Sequence, residues 1–96
     1  MSAYCLFDNL EIVDPGKMEE YKERVRPVVE QYGGRYVVIG GPFERKEGTW
    51  QPSYPVLLEF PDLDQARRWY DSPEYRDLKA LRLSAVRSNA VFMAGL

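Results

Sequence analysis

Apolar positions along the chain switch between a two-residue and a helical repeat. Over residues 3–12, Tyr4, Leu6, Leu10 and Ile12 fall on one parity and Cys5 and Phe7 on the other, which predicts a strand. Asp14 followed by Pro15 is a helix start, a capping carboxylate before a first residue that needs no N–H. Met18, Tyr21, Val25, Val28, Val29 and Tyr32 then recur every three or four residues, predicting a helix over about 15–32 that Gly33 closes. Pro27 lies inside it and predicts a kink or a change of helical geometry around Glu23–Pro27. Residues 35–39 read as a second strand ending at Gly40-Gly41, and Phe43–Lys46 as a further extended limb before the Glu47-Gly48 turn. With Pro52 and Pro55, Trp50–Tyr54 reads as an extended loop. Val56–Phe60 is a short apolar strand. Asp62 with Gln65 resembles a capping box before a short helix marked by Leu63, Ala66, Trp69 and Tyr70. Ser72-Pro73-Glu74 starts a further helix to about Arg87, and Ala90–Ala94 is the last strand.

The order β-α-β-β-α-(α)-β predicts an α+β, ferredoxin-like protomer over residues 1–96 as a single domain. Right-handed crossovers place all the helices on one face of an antiparallel sheet. The strands are nevertheless apolar on both parities, as in Cys5-Leu6-Phe7, Val37-Val38-Ile39 and Val56-Leu57-Leu58. A sheet with one wet face would alternate. The simplest closure of the second apolar face is a second copy, sheet against sheet, giving a dimeric α/β barrel.

Composition narrows the chemistry. Thirteen basic and fifteen acidic side chains leave a net charge of −2, without the basic footprint of a nucleic-acid binder. The chain has no histidine, which excludes histidine triads and histidine-ligated zinc or haem. One cysteine, Cys5, allows neither an intrachain disulfide nor a thiolate cluster, and its strand context suits a small buried hydrophobe. Gly40-Gly41 precedes no helix and so is no dinucleotide loop. The expectation is therefore no cofactor and no metal. No signal-like or membrane-length apolar run occurs, so a cytoplasmic location and no membrane partner are expected.

Several motifs carry a resemblance across nearly the whole chain. Tyr32-Gly33-Gly34-Arg35-Tyr36, Glu47-Gly48-x-Trp50-x-Pro52, Glu59-Phe60-Pro61 and Trp69-Tyr70-x-Ser72-Pro73-Glu74-Tyr75 together resemble a bacterial domain-of-unknown-function family of the dimeric α/β-barrel superfamily. The resemblance implies a ferredoxin-like protomer and a dimer with facing sheets. The wider superfamily includes cofactor-free monooxygenases, lactone isomerases, polyketide cyclases and haem enzymes; the missing histidine argues against the histidine-ligated haem branch. Two departures bear on a pocket: Ser53-Tyr54-Pro55 stands where family members often carry an arginine, and Cys5 where they usually carry an aromatic.

Among residues able to carry chemistry, Glu59 is an acid in an otherwise apolar strand, a candidate general base if desolvated and a structural ion pair if Arg35 reaches it. Asp8 has the same ambiguity, or begins a bulge with Asn9. Arg35 and Tyr36 are candidates to hold an anionic or enolic oxygen, or simply the start of a strand. Trp50, Trp69, Tyr70 and Tyr75 suit core and dimer packing first, with Trp50, Tyr70 and Tyr75 also ligand-binding candidates. Arg82 reads as a helix-surface charge paired with Asp77 or Glu74, with ligand binding as the alternative. Two functions follow: a cofactor-independent enzyme acting on a small enolisable or aromatic molecule, or a dimer that binds small molecules or serves in stress without chemistry. A pocket of at least ~300 Å³ holding Glu59 and a phenol would favour the enzyme.

Overall fold

The predicted helices and the four predicted strands form in a computed structural model that describes residues 1–96. In chain order they are β1 (Ala3–Ile12), α1 (Pro15–Gln31), β2 (Arg35–Ile39), β3 (Pro55–Phe60), α2 (Leu63–Tyr70), α3 (Pro73–Ala85) and β4 (Val86–Ala94). The helix starts work as their side chains require. Asp14 accepts the Lys17 amide at 3.1 Å, Asp62 the Gln65 amide at 2.8 Å and Ser72 the Tyr75 amide at 3.1 Å. Each satisfies an amide that the first turn leaves without a carbonyl. Gln65 does not complete a capping box; its Nε2 donates to the Tyr32 carbonyl at 2.9 Å and ties α2 to the end of α1. Gly33 ends α1 with φ at 81°, a conformation that favours glycine.

α1 stays α-helical through Pro27, without the change of helical geometry expected there. Glu23 and Pro27 are both exposed, which suits a proline that leaves the Glu23 carbonyl without its amide donor. Phe43–Lys46 forms no strand; β2 pairs only with β3, and no strand lies on its other edge. Finally, α3 stops at Ala85 and β4 begins at Val86 with no linking residue. The Ala85 carbonyl accepts the amides of Val13 and Asp14 at 2.7 and 3.0 Å, while Val86 and Arg87 pair with Ile12 and Glu11. Pairing with β1 extends the strand four residues earlier than expected.

The sheet has the order β2-β3-β1-β4, every neighbouring pair antiparallel. Ala3, Cys5, Phe7, Leu58 and Phe60 point under the helices and are buried. There Trp69, with no exposed surface, lies 4.3 Å from the Tyr75 ring and 5.3 Å from Phe60, centroid to centroid. Burial pushes the Cys5 thiol up to about 12, as expected of a packing residue rather than a nucleophile. On the other face Tyr4, Leu6, Leu57, Val91 and Met93 follow the opposite parity, and Val91 and Met93 remain about half exposed. The molecule is a slab 17 Å thick, one helical layer on one sheet. Its surface of 6241 Å² exceeds the roughly 5,700 Å² expected for a monomer of this mass.

Candidate functional site

A cleft of about 250 Å³ opens between α1 and the helix-facing side of the sheet. The α1 stripe supplies Met18, Tyr21 and Val25, with Lys22 and Arg26 one position further round the helix. Phe7, Asn9, Val56 and Leu58 come from the two central strands, Tyr36 and Ile39 from β2. Tyr54 closes one side, its ring packed where a side chain on Gly40 would sit. Gly40 therefore serves close approach, its φ of 56° adding a second reason for glycine. Arg82 reaches in from α3.

Tyr21 and Arg82 on the cleft's floor are joined by a connected polar set that lies behind it. Tyr21 and Tyr75 share a hydrogen bond of 2.8 Å; Arg82 Nε donates to the Tyr75 hydroxyl at 3.2 Å and Nη1 to the Ser88 hydroxyl at 3.0 Å. The Arg82 guanidinium also lies 5.1 Å from the centre of the Phe7 ring, within cation–π range. Asn9, paired across the sheet with Ser88, has a buried Oδ1 without any hydrogen-bond partner. Burial raises the hydroxyls of Tyr21, Tyr36 and Tyr75 above the ordinary phenol value, so at neutral pH all three are protonated. Burial works against the charge on Arg82, the Tyr75 hydroxyl that accepts from it works the other way, and the guanidinium keeps its charge. No carboxylate lines the cleft.

The structure therefore gathers Tyr36, Tyr75 and Arg82 from the sequence candidates and leaves the others elsewhere. Arg82 is not a surface charge: it is 4% exposed, Asp77 pairs with Arg76 at 3.7 Å, and Glu74 accepts from the Tyr32 hydroxyl at 2.6 Å. Glu59 lies on the open sheet face, opposite Arg35 on β2 and Tyr4 on β1. Arg35 grips its Oε1 at 2.6 Å through Nη2 and 2.8 Å through Nε, and the Tyr4 hydroxyl donates to Oε2 at 3.3 Å. A Ser2 hydrogen bond and the Arg35 guanidinium hold its carboxyl below the usual carboxylate range. Asp8 begins no bulge; the register slips between Asn9 and Glu11, and Asp8 Oδ1 accepts the Ser53 and Tyr54 amides at 2.9 and 3.0 Å. It pins the loop that carries Tyr54. Trp50, 63% exposed, borders a smaller hollow on the open face with Leu6 and Val91. Tyr70 packs edge-on against Phe92 at 5.3 Å beneath the Lys79 ammonium, on the α2 side. Missed by the sequence reading were Tyr21, Asn9 and Tyr54, the first hidden in an apolar stripe that any amphipathic helix would show.

Fold and cleft together define a ferredoxin-like α+β protomer with its cleft between the first helix and the sheet. The chain belongs to the family described as a domain of unknown function (DUF1330), whose model matches residues 2–96. No curated protein matches the sequence. Among solved structures it is similar to a protein of unknown function from Rhodopseudomonas palustris, with 19% identity, a TM-score of 0.73 and coverage of 99% of this chain and 82% of that one. A dimeric ferredoxin-like protein of unknown function from a Jannaschia species matches at 15% identity and a TM-score of 0.64, covering 99% and 100%. SnoaB, a cofactor-independent oxygenase from Streptomyces nogalater, matches at 15% identity and 0.64, covering 99% and 91%. At these identities the likeness is one of fold.

Proposed function

We propose that this chain is one half of a facing-sheet homodimer in which each α1 cleft binds a small molecule with an apolar or aromatic body and an oxygen-bearing head. The observation that carries this is the cleft itself, about 250 Å³, apolar along its walls and polar only at its floor, the usual make-up of a small-ligand site. The uncovered apolar sheet face and the dimeric description of the Jannaschia protein support the assembly. At about 250 Å³ and without Glu59 the cleft falls short of the mark set for an enzyme, so a catalytic use of the same site on an enolisable or aromatic substrate, with no cofactor, is supported only by the fold shared with the Streptomyces oxygenase. Within the cleft this chain offers donors and no base: the protonated phenols of Tyr21 and Tyr36 near the Arg82 guanidinium, which would hold a developing oxyanion. Turnover would then be confined to molecules that ionise unaided, and binding without turnover uses the same contacts. Glu59, ion-paired on the opposite face, takes no part in this scheme.

Light scattering or sedimentation checks the assembly; a particle of 11.2 kDa at micromolar concentration overturns it. For the cleft, a panel of aromatic acids, alcohols and amides is screened by NMR. Shifts clustered on Tyr21, Val25 and Tyr36, abolished by a cleft-filling Val25→Trp, are the expected result. Oxygen uptake with a bound enol and no added cofactor would favour the catalytic use; saturable binding without uptake favours the binding protein.

A further inference from the structure

We infer that the cleft's ligand is an organic anion, its charged oxygen on Arg82 and a neighbouring hydroxyl on Asn9. This rests on the reading of the α1 cleft as a ligand site and names the chemical class it takes. Arg82 is 4% exposed, yet none of the chain's eight ion pairs includes it. A buried charge is expensive unless paired, and both its hydrogen bonds go to neutral hydroxyls, through Nε and Nη1. A guanidinium has five N–H donors, so Nη2 is left for a partner the chain does not supply. The surroundings have one sign: Lys22 and Arg26 join Arg82 on the cleft wall with no acid among them, in a protein whose net charge is −2.

Asn9 is the independent second observation. Its Oδ1 is buried without a donor, on the strand position that faces Ser88, itself bonded to Arg82. An unfilled acceptor beside an unneutralised cation matches a carboxylate or enolate that carries a hydroxyl on the adjoining carbon. The anion accepts from Nη2, and the hydroxyl donates to Oδ1 once a turn of the Asn9 amide brings that buried atom to the cleft. The apolar walls take the ring or branched body.

Phenylacetate, 2-hydroxy-2-phenylacetate and phenylacetamide separate these contributions, titrated into the full chain by calorimetry with NMR to locate the site. The acid is expected to bind at least tenfold more tightly than its neutral amide, and the hydroxy acid a few-fold more tightly again. Arg82→Met should bring acid and amide to the same affinity, and Asn9→Leu should remove only the hydroxyl's advantage. Amide binding equal to acid in the unaltered protein overturns the inference, as does a preference that survives Arg82→Met. The acid–amide comparison needs no variant, so it decides even if Arg82→Met fails to fold. Neutral probes shifting the cleft while acids do not would defeat the anion and leave the site standing; no shift from any probe would defeat the site itself.

Discussion

The two faces of the sheet treat charge in opposite ways. On the open face Glu59 and Arg35 sit across adjacent strands and neutralise one another at 2.6 Å, with Arg35 largely in solvent. On the helical face Arg82 is buried far more deeply and meets only hydroxyls. A solvent-exposed pair contributes little to stability and tolerates change. A buried cation without a counter-ion is disfavoured, and its neutral hydrogen-bond partners offset that only in part. Glu59 is isolated along the chain and paired in space; Arg82 has acids nearby along the chain and none in space. What faces a charge, not what flanks it in sequence, marks where binding chemistry can lie.

The contrast can be tested at neighbouring positions. Leu58, 2% exposed, belongs to the helical face, and Leu58→Ala should cost about 2–5 kcal/mol in urea unfolding. A loss below 1 kcal/mol would mean the core lies elsewhere. Next in size is Tyr75→Phe, which strips a partner from both Tyr21 and Arg82. About 1–3 kcal/mol should be lost, and a neutral result would show the network to be dispensable. Leu57→Asp, one residue from Leu58 but on the open face, should leave the protomer's circular dichroism intact while light scattering reports monomers or aggregates. An unchanged dimer would remove Leu57 from the interface.

The smallest effect is expected from acid. Glu59 and Glu74 both have folded pKa values below the ordinary 4.5, Glu59 through Ser2 and Arg35 and Glu74 through the Tyr32 hydroxyl. Their contribution is therefore complete above pH 4.5 and lost as pH falls through the lowered values. Urea midpoints measured from pH 7 to 3 should stay level and then drop, and Glu59→Gln should shallow the drop. A steeper acid limb in that variant would contradict the ion-pair role.

Local signals were legible because their physics is local. Asp14, Asp62 and Ser72 cap helices through amides three residues away, and Gly33 turns the chain at positive φ. The two-sided apolar strands correctly announced a sheet whose second face is also apolar, with Val91 and Met93 about half exposed on it. The cleft was harder to read because it depends on register between distant strands. Asn9 meets Ser88 only after β4 pairs with β1, and β4 begins at Val86 where helix periodicity appeared to continue. Asp8 likewise finds the Ser53 and Tyr54 amides across a loop whose path no spacing rule encodes. The family match supplied the fold independently, but a family without an assigned activity could not supply the site.

The sheet order also governs how the chain reaches its native state. β1 is the first element made, yet its two hydrogen-bonded neighbours are β3 and β4, the latter the last of the seven elements. At synthesis rates of about 5–20 residues per second, Leu6 and Phe7 wait for several seconds before Val91 and Ala90 exist to pair with them. Such distant pairings also slow refolding from denaturant relative to a helical bundle of equal size, since loop closure precedes the contacts that reward it. Nascent β1 is therefore an uncovered apolar strand with both edges open. During that interval the chain is most exposed to misassociation.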